Sequence, residues 1–275
     1  MALVGDTSSM AYDWISFTTD YGLADGFPAA CEGVIARIAP AARVIHVTHL
    51  VPPQDIRRGA AVLAQTVPHL PSAVHLAVVD PGVGTTRRPV CVATGAGMLV
   101  GPDNGLLIPA AIALGISAAF ELTEYRLNPV SATFHGRDIF APAAAHLAAG
   151  LSPERLGPEI DLGTLVRLPE PETVATPGRL ATEVLSSDTF GNLQLAATAL
   201  DLAASGAKAR TRVHAQVGDR SVEAVVGQTF ADAEPSGAVL LVDSAGHLAL
   251  AINGGSAADE LRAGAGSPAV VLIGR

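Results

Sequence analysis

Val74-His75-Leu76-Ala77-Val78-Val79-Asp80-Pro81-Gly82-Val83-Gly84-Thr85-Thr86-Arg87-Arg88-Pro89 is the stretch that decides the fold. Val74 to Val79 is an apolar run of strand length and strand composition. It ends in an acid, Asp80, followed by a Pro-Gly turn, a second glycine, two threonines and two arginines. A strand that delivers a carboxylate into a glycine-rich loop is how an open α/β sheet builds a site at its carboxyl edge. Read alone, the stretch also fits a plain β-turn with surface arginines, so the neighbours must decide.

Upstream, Trp14 to Thr19 reads as a strand that again ends in an acid and a glycine, Asp20-Tyr21-Gly22. Asp25 to Ala39 has helical spacing and stops at Pro40. Arg43 to Val47 reads as a strand, and Gln54 to Val67 as a helix with Asp55 in its first turn. Downstream, Pro89 to Thr94 and Met98 to Val100 read as strands joined by a Gly-Ala-Gly turn. Gly101 to Gly105 reads as a loop, Leu106 to Leu114 as a helix and Ala118 to Leu122 as a strand. Phe134-His135-Gly136-Arg137-Asp138 leads into an alanine-rich helix ending near Gly150. Strands alternating with helices predict a mainly parallel sheet flanked by helices.

The pattern changes after Leu151, where prolines crowd together. The expected division is an N-terminal α/β domain over 1–165, a linker over 166–178 and a C-terminal domain over 179–275. The last is expected to be mostly β, a small barrel or sandwich, from short runs at 180–185, 211–217, 221–226, 238–242, 248–252 and 269–273. Leu195 to Ala204 and Ala257 to Leu261 are expected to be helical.

Composition narrows the function. The 275 residues are 49% hydrophobic but only 4% aromatic, so aliphatic side chains must build the core. A formal charge of −9 argues against nucleic acid and against an anionic membrane surface. It suits a soluble enzyme able to take a cationic substrate. No apolar run approaches a membrane span, and the first residues do not read as a signal peptide. Cys31 and Cys91 make no disulfide framework, and a reducing cytoplasm fits them.

Asp20, Asp80 and Asp103-Asn104 lie at or just past strand ends, where a parallel sheet would gather them, and His135 precedes a helix. Each also has an ordinary reading: a helix cap for Asp20, a turn for Asp103-Asn104, a core or cap histidine for His135. Gly82-Val83-Gly84 lacks the third glycine of a dinucleotide loop, and no Gly-Lys-Ser/Thr follows as in a P-loop. The spacing of His46 and His49 does not match a structural zinc pattern, and no metal site is expected. No serine sits in a nucleophile-elbow context.

Seven motifs in order carry more than any one of them. They are Thr18-Thr19-Asp20-Tyr21-Gly22, Val51-Pro52-Pro53-Gln54-Asp55, Val79-Asp80-Pro81-Gly82-Val83-Gly84-Thr85, Gly101-Pro102-Asp103-Asn104-Gly105-Leu106, Phe134-His135-Gly136-Arg137-Asp138, Asp188-Thr189-Phe190-Gly191-Asn192 and Ser244-Ala245-Gly246-His247-Leu248. In these the chain resembles the S-adenosylmethionine hydroxide adenosyltransferases, the family that also contains fluorinases and chlorinases, from about residue 14 to the C-terminus. The resemblance implies hydrolysis of S-adenosyl-L-methionine to adenosine and L-methionine, by attack at C5′ of the ribose. It also implies a homotrimer with active sites between subunits, and no cofactor, the small molecule being the substrate.

Residue by residue, the resemblance makes Asp80, Arg87 and His135 the catalytic triad of the hydroxide-using branch. It places Asp20 on the ribose diol, Asp188 on the methionine amino group and Asn192 on adenine with Phe190 as an apolar wall. Ser244 falls on the methionine carboxylate, and the backbone of Asn253-Gly254 near the adenine edge. There are departures. Halogenases carry tryptophan where Gln54 stands, an uncharged aromatic where Asp80 stands, and serine or glycine where Gly136 stands. Ala245 replaces an arginine of the fluorinases beside the methionine carboxylate. Three activities are weighed: hydrolysis, halogenation to a 5′-halo-5′-deoxyadenosine, and a non-catalytic sensor. An ionised Asp80 would repel a halide, and a sensor has no use for a water-activating group.

Overall fold

The computed structural model describes residues 11–274, which divide into two compact units at Leu168/Pro169. Among these residues no helix is long and apolar enough to cross a membrane.

The first unit is built on six strands: β1 (Trp14–Thr19), β2 (Arg43–Thr48), β3 (Ala73–Val78), β4 (Pro89–Thr94), β5 (Gly97–Pro102) and β6 (Ile116–Glu121). They lie in the order β2-β1-β3-β5-β4-β6. β1 runs parallel to β2 and β3, and β3 parallel to β5, whereas β4 is antiparallel to both its neighbours. The mainly parallel sheet expected from the sequence is therefore present, with one reversed strand. A turn of two residues between β4 and β5 permits only an antiparallel pair, because a parallel return needs a crossover.

Both faces of this sheet are covered. Val74, Leu76 and Val78 enter one core with Ile15 and Phe17, while Ala77 and Val79 enter the other. This two-residue alternation is why β3 reads as an unbroken apolar run. Helices α1 (Phe27–Ile38) and α4 (Ala141–Ala148) pack on the first face, and α2 (Ile56–Thr66) and α3 (Ile108–Ala113) lie together on the second. Asp55 caps α2, its side chain accepting from the Arg58 N–H at 2.8 Å. Cys31 and Cys91 are buried free thiols, and burial pushes each up to about 12.

In the second unit, β8 (Arg179–Ser187), β9 (Leu193–Thr198), β10 (Arg212–Val217), β11 (Arg220–Val226), β12 (Ala238–Val242), β13 (His247–Ile252) and β14 (Pro268–Ile273) close into a barrel. The β14–β8 pairing completes the ring. Leu180, Val184, Leu195, Leu240, Leu250 and Val271 fill its core. The structure decides for the barrel over the sandwich. A short strand, β7 (Val174–Thr176), pairs with β8 inside the stretch expected as linker.

The helix expected over Leu195 to Ala204 is a strand followed by a helix. Leu193 to Ala197 enter the barrel wall as β9, and only Ala199–Ala204 is helical, as α5. Thr198 makes the break with a capping box: its hydroxyl and the Asp201 carboxylate each satisfy a backbone N–H of the other's end. α6 (Ala257–Leu261) lies where expected.

Two buried histidines tie stability to pH. Burial lowers His75 to about 4, and burial together with His46 lowers His49 to about 4. Both sit below the ordinary value near 6.5, so the folded chain holds fewer protons than the unfolded one between those limits. Their contribution is present above about pH 6.5 and is lost as the pH falls toward 4. Urea titrations between about pH 7 and pH 5 should show a falling stability, with His75 adding at most about 1.4 kcal/mol per pH unit. A midpoint independent of pH over that window would contradict this.

Candidate active site

Parallel pairing sets up the site. Thr19 of β1 lies opposite Val78 of β3, so the residues that follow, Asp20 and Asp80, leave the sheet at the same edge. After Val79 the chain turns back on itself, with the Val83 N–H donating to the Asp80 carbonyl at 3.2 Å and the Thr85 N–H to Gly82 at 3.2 Å. Gly84, at φ +77°, passes so close to the Ala132 carbonyl that a β-carbon there would lie 2.4 Å from it. The tight loop brings Arg87 back over Asp80.

Arg87 Nε donates to Asp80 Oδ1 at 2.9 Å, and Nη2 donates to Oδ2. The same Nη2 lies 2.9 Å from His135 Nδ1. Both partners of the ion pair are almost wholly buried, and the guanidinium rests over the Phe140 ring at 5.0 Å. A guanidinium has no acceptor, so His135 Nδ1 must accept and its proton resides on Nε2. Burial first, and then the Arg87 charge, lower the His135 pKa, the direction that favours this neutral tautomer. His135 is placed by the π-helical turn Gly136–Phe140 that leads into α4; such turns often occur at functional sites.

Asp20 sits beside this cluster, with Oδ2 accepting from the Gln54 N–H at 2.8 Å. Asp103 and Asn104, the other acid and amide expected at a strand end, are scaffold. Asp103 is buried and holds Arg88 as well as the Val166 N–H. Asn104 Nδ2 donates to the Val79 carbonyl at 2.9 Å, tying its loop to the end of β3. Arg88, the competitor of Arg87, is thus committed to Asp103 and to Thr164.

His46 and His49 belong to a hydrogen-bonded chain that starts at Thr19. Thr19 Oγ1 accepts from the Tyr21 N–H at 3.2 Å and lies 2.9 Å from His49 Nδ1. His49 Nε2 lies 2.8 Å from His46 Nδ1, so one of the two rings donates to the other. His46 Nε2 then faces Glu32 at 3.4 Å. Among the described residues no group of three His, Cys, Asp or Glu side chains is arranged to hold a metal ion.

The second unit carries its own half of the expected residues. Asp188 Oδ1 accepts from the Phe190 and Asn192 N–H groups at 2.9 Å each, and Oδ2 accepts from Asn192 Nδ2 at 2.7 Å. Among the described residues Asn192 Oδ1 has no donor, and the turn thrusts Phe190 into solvent, 77% exposed. Phe190, Asn192, Phe230, Ile252, Gly254 and Gly255 line an apolar pocket of about 470 Å³. Phe230 lies outside the motifs that carry the family resemblance. It precedes Asp232, whose carboxylate accepts from the Gln228 and Thr229 N–H groups; an aromatic beside a Thr-x-x-Asp box in so aromatic-poor a chain was the available signal. Asn253 does not line the pocket; its amide donates to the Ala233 carbonyl. Ser244 is exposed on a separate turn, which Asp243 closes by accepting from the Ala245 and His247 N–H groups.

Comparison with known proteins identifies the family. The chain matches the SAM hydroxide adenosyltransferase N-terminal domain over residues 15–157 and the corresponding C-terminal domain over residues 182–270. It therefore belongs to the SAM hydroxide adenosyltransferase family. Among its relatives, a protein of Salinispora arenicola named (R)-S-adenosyl-L-methionine hydrolase is 57% identical, over 95% of this chain and 98% of the relative. A more distant one, a fluorinase of an Actinoplanes strain, is 27% identical over 87% and 90%. The crystal structure of an uncharacterized conserved protein from Thermotoga maritima matches with a TM-score of 0.87 at 34% identity, covering 94% of this chain and 99% of that one.

The two adjacent arginines should separate by experiment. Arg88→Met leaves the buried Asp103 carboxylate without its cation, and should lower stability by about 3 kcal/mol in urea titrations. An unchanged midpoint would show that Arg88 is not holding that loop.

Proposed function

We propose that this protein hydrolyses S-adenosyl-L-methionine to adenosine and L-methionine. The observation that carries the reading is the closed Asp80–Arg87–His135 contact at the carboxyl edge of the sheet. The similarity to a protein named (R)-S-adenosyl-L-methionine hydrolase supports it.

The chemistry asks little of an acid. The sulfonium leaves as a neutral thioether, taking the electron pair of the C5′–S bond. What the site must supply is a water in line with that bond, and a base for its proton. Positioning contributes roughly 7–11 kcal/mol in the best cases, and general-base help roughly 10²–10⁴ in rate. Asp80 is the base in this reading. His135 presents Nε2–H, a donor, whereas the Asp80 oxygens keep lone pairs beyond those Arg87 occupies. Arg87 fixes the carboxylate and, through Nη1, offers charge to the developing hydroxide. Asp20 accepts from the ribose diol, Asp188 receives the methionine amino group, and Phe190, Phe230 and Asn192 receive adenine. Ser244 and the backbone at Asn253-Gly254 complete the recognition set. No cofactor enters this mechanism.

A fluorinase-like activity is disfavoured by the Asp80 carboxylate, which stands where a halide would have to lose its water. In heavy-oxygen water, the label should enter the adenosine 5′-hydroxyl and none should enter methionine. Asp80→Asn should lower kcat by at least about a hundredfold with substrate affinity retained. Label-free adenosine, or wild-type turnover in Asp80→Asn, would overturn the mechanism.

We also propose a homotrimer whose sites lie between subunits, working in the cytoplasm on this small molecule. The division of the recognition residues between two compact units supports shared sites, and the two free thiols support a reducing compartment. Asp80→Ala and Asp188→Ala chains should each be inactive alone. Co-assembled, they should regain activity, because an undamaged half from each meets at one interface. Mixed trimers without activity would place each site within a single chain.

A further inference from the structure

Tyr21 follows Asp20, and its ring reaches back to the start of the π-helical turn. A β-carbon at Gly136 would lie 2.0 Å from the Tyr21 hydroxyl oxygen and 3.0 Å from Cζ. The tip of the phenol therefore fills the space that any side chain at 136 would need. The ring is held there by edge-to-face contacts with Phe27 and Phe134, at centroid distances of 6.0 and 5.8 Å. Phe27 and Phe134 in turn pack edge-to-face on each other at 5.2 Å. The backbone end is fixed by the bond from the Tyr21 N–H to Thr19.

This hydroxyl has no hydrogen-bond partner among the described residues, although it abuts the residue that follows His135. Burial first, then Cys31, Asp20 and Asp80, push the Tyr21 pKa well above its usual value, with Arg87 opposing. The phenol is thus a neutral donor, held within the field of the Asp80–Arg87 pair, with no acceptor among the described residues.

We propose that Tyr21 is a further catalytic residue: its hydroxyl donates a hydrogen bond to the oxygen of the attacking water and fixes it beside Asp80. The assignment rests on the hydrolase reading above. The phenol keeps its proton throughout; the water's proton goes to Asp80, the oxygen bonds to C5′, and sulfur leaves with its electron pair. Gly136 then serves as the empty space that admits the hydroxyl, a positioning role exerted through Tyr21.

The test compares wild type, Tyr21→Phe, Gly136→Ala and the double variant with S-adenosylmethionine. Tyr21→Phe removes one oxygen and no packing, so its thermal midpoint should match wild type. Its kcat should fall roughly ten- to a hundredfold, the effect of one hydrogen bond to a developing charge, with KM and calorimetric affinity within about twofold. Gly136→Ala should show a similar loss in kcat. The double variant should fall little below Tyr21→Phe, because the hydroxyl that the alanine displaces is already gone. Wild-type kcat in Tyr21→Phe, a rise in KM with kcat intact, or additive losses would overturn the assignment. If Gly136→Ala does not fold, Tyr21→Phe decides alone. A wild-type protein that forms no adenosine overturns the hydrolase reading and this assignment with it. Adenosine formation at the wild-type rate in Tyr21→Phe overturns the Tyr21 assignment only.

Discussion

Thr19 and Val78 face each other in two parallel strands, and the rest of the first unit's site follows from that register. Strands running the same way end at the same edge, so two acids separated by sixty positions in the chain leave the sheet together. A slip of one residue would turn Ile15 and Phe17 out of their core and bring Ser16 and Thr18 into it. The register is therefore held by the packing of both faces, far from the residues it positions.

A carboxylate at such an edge is costly to bury unless a cation meets it in good geometry. Arg87 does so with a fork that matches both oxygens. Once both are in place, His135 has little choice. It faces a group that can only donate, and its proton is driven to the far nitrogen. One ion pair thus sets the tautomer of its neighbour, while burial is the first cause of its lowered pKa. Arg88, next in sequence, faces the other way into Asp103 and does the same work for a structural loop.

The strands and most helices of the first unit were legible because their apolar spacing is local and both sheet faces are covered. The ordered motifs pointed to Asp80, Arg87 and His135, which the structure brings within hydrogen-bonding distance. Other features depend on partners distant in the chain and left no local mark. β9 looked helical because Leu-Ala-Ala runs suit a helix; only the pairing with β8 and β13 makes it a strand. β7 hid among prolines. Asp103 shared the strand-end position of Asp80, and only the observed Arg88 and Val166 contacts separate scaffold from site. The pairing of Phe230 with Phe190 across one pocket joins residues forty positions apart, beyond any periodicity.

The barrel of the second unit is a cycle of seven ladders, and a cycle has no first or last member. In an open sheet the outermost strand holds on by one side and peels away first, and the next is then exposed in turn. Here every strand of the ring is held on two sides, so opening must break two ladders at once. β7 is different, with β8 as its one partner. The strand held on one side is thus a three-residue strand outside the ring, and the loop that carries Asp188 and Phe190 joins two strands that are each held on both sides.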